Sequence, residues 1–259
     1  MRLLFIGDVV GRPGREGLAA TLPRLRERHQ PDLVVVNGEN TAGGVGVTEQ
    51  TASELFGCGA DVITLGNHAF RRREVYPYLQ REPRIVRPAN YPPGNPGRGH
   101  TVVEAARMRV AVVNLSGSVH LTAERSPFPV IDELLGSLRG GADAVMVDFH
   151  AEVTSEKVAM GWHLDGRVAA VIGTHTHVPT ADARVLPGGT AFIADAGMTG
   201  SRAGVIGVRR EQALEAFRTG LPIRFDTADE DLWVMGAAIE IGDDGFARSI
   251  EQVLEQVDR

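Results

Sequence analysis

The chain has 259 residues, 43% of them hydrophobic and 23% charged, with a formal net charge of −6. These proportions describe an ordinary globular protein of one large domain or two small ones. The acidic balance argues against an extended nucleic-acid groove, which needs a basic excess. The single cysteine, Cys58, excludes an internal disulfide and fits a reducing compartment. It lies in FGCGAD with no matching base and reads as a small buried hydrophobe. No apolar run approaches the roughly 18 residues that span a bilayer. The four consecutive apolar residues before Gly7 are too few for a signal-peptide core. The expected compartment is the cytoplasm, with no membrane partner.

In chain order, residues 2–7 read as a strand and 14–29 as a helix with Leu18, Leu22 and Leu25 along one side. Residues 33–37 read as a strand, 48–57 as a helix with Thr48 as N-cap, 61–65 as a third strand, and 71–80 carry helix signals. Such alternation implies parallel strands joined by right-handed crossovers. The Pro/Gly-rich stretch 83–99 reads as an ordered surface loop leading into hairpin strands at 101–105 and 109–115. A helix near 130–139 precedes strands at 144–149, 168–173 and 190–194. The GDDG at 242–245 reads as a turn between β-like runs 232–241 and 246–250. Two packed sheets with helices outside accommodate these elements, and no repeat or boundary divides them. The expectation is an α/β protein with one domain over 1–259.

Five of the apolar runs stop at residues that can hold a metal or move a proton. They end at Asp8, Glu39-Asn40, Asn67-His68, His150 and His175-Thr176-His177. Parallel strands place their C-terminal ends along one edge, where ligands collect, so these side chains are expected to converge. Oxygen and imidazole donors without thiolates suit manganese, iron or zinc. On an extended segment His175 and His177 would point to one side with Cα atoms ~6.6 Å apart. They could then share one ion or take one each of a close pair. Six or seven ligands are too many for one tetrahedral zinc and suit two ions. Two dications about 3.7 Å apart repel by roughly 18 kcal/mol at an effective dielectric of about 20, so a bridging anion is needed, and Glu39 is the candidate. Asp8 and Glu39 neutralise half of the ionic charge. A hydroxide and a phosphodiester monoanion would balance the rest, which suits two-metal hydrolysis. His68 should point away from Asn67 on an extended segment, leaving it free to protonate a departing alkoxide.

The blocks GDVVGRPGR, NGENTAGGVGVT, TLGNHAF, VDFHAEVTSEK and GTHTHVPTAD resemble those of the calcineurin-like metallophosphoesterases, and more narrowly their bacterial YmdB-type branch. The resemblance continues through RPANYP, GMTG and GLPIRF. It implies a four-layer α/β/β/α sandwich, a dinuclear iron or manganese centre, and phosphodiesterase activity on 2′,3′-cyclic nucleotides. Carried over, it puts Asp8, Asn40 and His177 on one ion and Asn67, His150 and His175 on the other. Glu39 would bridge, and His68 would be the proton donor. Two departures stand out. Asp8-Val9-Val10 lacks the imidazole that the wider superfamily carries two residues after the aspartate, which is why Asn40 is assigned as a ligand. Ala69-Phe70-Arg71 replaces the Thr-Trp-Asp that often follows, which bears on substrate contacts.

The remaining polar residues have plainer readings. His29, His100, His120 and His163 read as ordinary core or surface residues, and Asp195 as structural. Glu152 and Asp182 are balanced between supporting the ligands and capping turns. Arg71-Arg72-Arg73 opens a helix with unfavourable charge, which hints at an anion, but a solvated charged face is the preferred explanation. The glycines of AGGVG serve a phosphate approach or only a tight turn. A small phosphodiester is the expected partner, and a homo-oligomer is compatible with the sequence. Rival readings are a phosphomonoesterase or nuclease using the same ions, and a regulatory protein with little turnover. A dinucleotide-binding module fits poorly, because G-x-G-x-x-G is missing.

Overall fold

The computed structural model describes residues 1–258 and contains two β-sheets face to face, with helices on the outer faces. The strands are β1 Arg2–Ile6, β2 Asp8–Val9, β3 Leu33–Asn37, β4 Val62–Thr64, β5 Ile85–Val86, β6 His100–Ala105, β7 Met108–Ser116, β8 Ala144–His150, β9 Ala170–Thr174, β10 Arg184–Val185, β11 Ala191–Ile193, β12 Met198–Ser201, β13 Leu232–Ile241 and β14 Ala247–Gln256. The α-helices are α1 Gly11–His29, α2 Glu49–Cys58, α3 Tyr76–Arg81, α4 Pro127–Leu138, α5 Thr154–Leu164 and α6 Arg210–Thr219.

One sheet runs β2-β12-β13-β1-β3-β4-β5, with β14 added on β13, and the other runs β10-β11-β9-β8-β7-β6. In the first, β1, β3, β4 and β5 are parallel neighbours; in the second, β7, β8, β9 and β11 are. The period-2 alternation of each strand builds three hydrophobic layers. Leu3, Phe5, Leu33 and Val35 meet Val110, Val112, Met146 and Ile172 between the sheets. Leu4, Ile6, Val34 and Val36 pack outward on Leu18, Leu22 and Leu25 of α1 and Leu55 of α2. Val113, Phe149 and Val171 pack on Val130 and Ile131 of α4 and Met160 of α5. The result is the α/β/β/α sandwich. Among the described residues no helix is long and apolar enough to cross a membrane.

Thr48 caps α2, its hydroxyl accepting from the Thr51 amide at 3.2 Å. The hairpin of β6 and β7 forms as expected, and the final hairpin pairs β13 with a longer β14 than the run 246–250 suggests. Helices α5 and α6 were not expected from the sequence. The stretch 83–99 is not wholly a surface loop, because Ile85, Val86, Arg87 and Asn90 are buried. Asn90 donates to the carbonyls of Ser116 at 2.8 Å and Arg125 at 3.0 Å, and it accepts from the Ser116 amide at 2.9 Å. It thereby ties this segment to the end of β7.

Candidate metal centre

Both sets of parallel strands end at the same edge, and the eight residues singled out in the sequence meet there. Asp8, Glu39, Asn40 and His150 are buried, while Asn67, His68, His175 and His177 are partly exposed. His150 Nε2 is the hub. It lies 2.9 Å from Asn67 Oδ1, 3.0 Å from His175 Nδ1 and 3.1 Å from Glu39 Oε1. Ligand atoms of Glu39, His150 and His175 all fall within 4.8 Å of one another. One imidazole nitrogen can carry at most one proton, so it cannot satisfy three polar neighbours. A cation can. Two more observations fit a cation. Asp8 Oδ1 and Glu39 Oε1 are buried without a hydrogen-bond partner, an arrangement that is costly unless something else binds them. A Cβ on Gly66 would lie 2.4 Å from both Glu39 Oε2 and His150 Nε2, so only glycine leaves the space beside them open.

A second group adjoins the first. His177 Nε2 lies 3.8 Å from Asp8 Oδ1 and 3.2 Å from Asn40 Nδ2. His68 Nδ1 lies 2.7 Å from Asn40 Oδ1 and 3.3 Å from Glu39 Oε1. Two expectations about backbone fail here. Thr174 ends β9, and His175 and His177 follow with φ of 99° and 67°, so they reach the site from a left-handed turn, not an extended segment. Asn67 and His68 also lie in a turn, so both face the site instead of pointing opposite ways. In each case the strand has already ended: β9 stops one residue before His175, and β4 stops at Thr64, three residues before Asn67.

Strained conformations persist only when their surroundings hold them. Here Asp195 accepts from Thr176 N at 3.1 Å and Thr176 Oγ1 at 2.7 Å, and also from Lys157 Nζ at 2.6 Å and the Gly197 amide at 2.8 Å. Both members of that ion pair are buried. Asp8 Oδ2 accepts from the His175 amide at 3.2 Å. Sequence reasoning left Asp195 structural and passed over Lys157, so this support was missed.

Each ring is also aimed by its second nitrogen. The Ile206 carbonyl accepts from His177 Nδ1 at 2.9 Å, and Glu152 lies 2.8 Å from His175 Nε2. Glu152 thus holds the His175 ring, whereas Asp182 accepts from Thr180 Oγ1 at 2.6 Å and serves a turn. His150 Nδ1 donates to Thr174 Oγ1 at 2.9 Å, whose own hydroxyl donates to Asp148 at 2.7 Å. Asn37 Nδ2 donates to Asp148 from the opposite sheet at 2.9 Å. Burial pushes the Asp148 carboxyl up to about 6, against the pull of His150 and Thr174. Burial also raises Asp8, with His177 and His150 opposing it. Burial opposes the charge of Glu39 and of His150 too, but their mutual attraction dominates. Glu39 is held well below the carboxylate range and His150 is raised to about 9. Burial and the neighbouring His150 lower His175 to about 3.

Around the centre, Gly43, Gly44 and Gly46 adopt positive φ, and Arg72 donates to the carbonyls of Ala42 at 2.9 Å and Val45 at 3.2 Å. The AGGVG segment is therefore a tight turn clamped by Arg72. His163 pairs with Asp132 at 3.0 Å, while His120 lines a cavity that shares Asn67 with the centre.

Oxygen and imidazole donors at the common edge of a two-sheet sandwich define a calcineurin-like metallophosphoesterase. The chain belongs to the YmdB-like family, whose model matches residues 4–253. A 2′,3′-cyclic-nucleotide 2′-phosphodiesterase of Bacillus subtilis is 46% identical over 255 residues, covering 98% of this chain and 97% of that protein. A protein from Thermus thermophilus described as hypothetical superposes with a TM-score of 0.94 at 41% identity, over 100% of both chains. A structure described as a novel phosphatase from Mycoplasma pneumoniae gives a TM-score of 0.93 at 34% identity, over 100% of this chain and 94% of that one. The chain is accordingly a hydrolase of the phosphoesterase type with a metal-binding cluster.

Proposed function

We propose that this enzyme is a phosphodiesterase acting on small phosphodiesters, 2′,3′-cyclic nucleotides above all, through two divalent ions, iron or manganese. The observation that carries the reading is the pair of buried, partnerless oxygens, Asp8 Oδ1 and Glu39 Oε1, each facing imidazole nitrogens. Asn67, His150 and His175 would hold one ion, Asp8, Asn40 and His177 the other, with Glu39 between them. The ions would supply Lewis acidity toward the phosphoryl oxygens and an activated water. Asn40 faces His177 with its amide nitrogen and His68 with its oxygen. Ligation by Asn40 requires that amide turned by 180°; otherwise it orients His68.

The protein's own part is to position and to move a proton. In either orientation of the Asn40 amide, His68 Nδ1 is engaged by Asn40, 2.7 Å from its Oδ1 as placed here, which leaves Nε2 as the nitrogen able to deliver a proton to the leaving alkoxide. A diester monoanion fits the charge count better than a monoester dianion. The Bacillus subtilis relative named for 2′,3′-cyclic nucleotides supports the substrate class.

The test is a panel of 2′,3′- and 3′,5′-cyclic nucleotides on metal-loaded protein, together with elemental analysis. The expected result is close to two transition ions per chain and preferential opening of the 2′,3′-cyclic ring. One ion per chain would overturn the dinuclear assignment, and preference for a monoester would overturn the diesterase.

A further inference from the structure

Beside the metal centre lies a cavity of about 470 Å³, lined among others by Asn67, Phe70, Arg71, Tyr91, Asn95 and His120. That volume is in the range of about 300–1,000 Å³ that holds small organic ligands. Asn67 belongs to both places, since its Oδ1 is the atom lying 2.9 Å from His150 Nε2. A phosphoryl group at the centre would therefore have its substituent in this cavity. The walls are specific in character. Tyr91 sits against Phe70 with ring centroids 6.0 Å apart, and Phe70 is braced edge-on by Tyr76 at 5.6 Å. Burial is the chief cause raising the Tyr91 phenol, which shares the cavity lining with Arg71. Arg71 is exposed and takes part in no ion pair among the described residues.

An aromatic wall, the Arg71 guanidinium, side-chain amides and one carboxylate, Glu124, on the same lining suit a planar ring that carries both hydrogen-bond acceptors and donors. They offer nothing particular to an alkyl or bare sugar group. We propose that this cavity takes the nucleoside portion of the substrate, with the base against Tyr91 and Arg71. The inference rests on the phosphodiesterase reading and adds where selectivity for a nucleotide arises. It also gives a use to the Ala69-Phe70-Arg71 departure.

The experiment compares a nucleoside 2′,3′-cyclic phosphate with glycerol 1,2-cyclic phosphate, which has the same reacting ring and no base. Loss of a stacking contact costs about tenfold or more. Tyr91→Ala should therefore lower the ratio of the two kcat/KM values by at least about tenfold, with Arg71→Ala lowering it less and Tyr91→Phe preserving it. Metal content at the wild-type level guards against collapse of the centre. Calorimetric binding of adenosine 3′-monophosphate against inorganic phosphate gives a readout independent of turnover, and Tyr91→Ala should weaken only the nucleotide. An unchanged ratio and unchanged nucleotide affinity in Tyr91→Ala would overturn the pocket, as would a wild-type enzyme that does not distinguish the two cyclic phosphates. If Tyr91→Ala does not fold, Arg71→Ala, an exposed position, decides by the same ratio. A wild type that binds the nucleotide but hydrolyses neither ring would overturn the phosphodiesterase reading alone.

Discussion

Gly66 is the residue on which the centre's geometry is tightest. A methyl group there would collide with both Glu39 and His150, neither of which can retreat from a fully buried position. Gly66→Ala is expected to lose metal and activity together in a protein that still folds, as read by elemental analysis beside circular dichroism. His150→Ala should do the same, because the hub nitrogen disappears. His68→Ala should separate the two properties. It should retain metal yet slow substrates with poor leaving groups by roughly a hundredfold or more, the usual contribution of a general acid. Unchanged turnover of a cyclic nucleotide would remove His68 from that role.

At the scale of elements, the decisive device is the tie between α5 and the turn after β9. Lys157 of α5 and Asp195, which follows β11, are buried together, and Asp195 holds Thr176 between the two left-handed histidines. Removing one member of such a pair leaves a buried charge and costs about 3–5 kcal/mol. Asp195→Asn should therefore destabilise the fold by about that amount in denaturant unfolding and weaken metal retention. Retained stability with intact metal binding would show that the turn holds its shape without the pair. The inward faces of the strands have a shared pattern as well. Apolar residues give way to a polar one at the C-terminal end: Leu33, Val35, Asn37 in β3; Val110, Val112, Asn114 in β7; Ala170, Ile172, Thr174 in β9. These polar ends meet at Asp148, two residues before His150 on the same face of β8: Asn114 and Thr174 bond to it within the second sheet, and Asn37 crosses to it from the first.

Across the whole molecule, the centre is a seam. Asp8, Glu39, Asn40, Asn67 and His68 come from the first sheet, and His150, His175 and His177 from the second. An ion held by both sheets binds the folded chain and not the unfolded one, so it should stabilise the whole sandwich. At ion concentrations about a hundredfold above Kd, each site would add about 2.7 kcal/mol. Chelation should accordingly lower Tm, and refilling with manganese should restore it. An unaltered Tm on verified metal removal would argue that the sheets meet without help from the ion.

Strand-end chemistry is a local property, and the residues carry it themselves: an apolar run, then Asp, Glu-Asn, Asn-His or His. Short apolar runs marked β1, β3, β8 and β9 as strands, and parallel pairing followed from the intervening helices. The same runs also hold Asn37, Asp148 and Thr174, which went unread because each looks like an ordinary strand end until its partner on another strand is known. What the chain alone did not disclose is set by contacts distant in sequence. The left-handed turn of His175 and His177 depends on Asp195 and Lys157. The aim of each imidazole depends on Ile206, Glu152 and Thr174. Backbone conformations that an isolated peptide disfavours exist only where distant groups hold them, so no pattern of neighbours announces them. Residue order fixed which donors the protein owns; packing of one sheet on the other decided how they face each other.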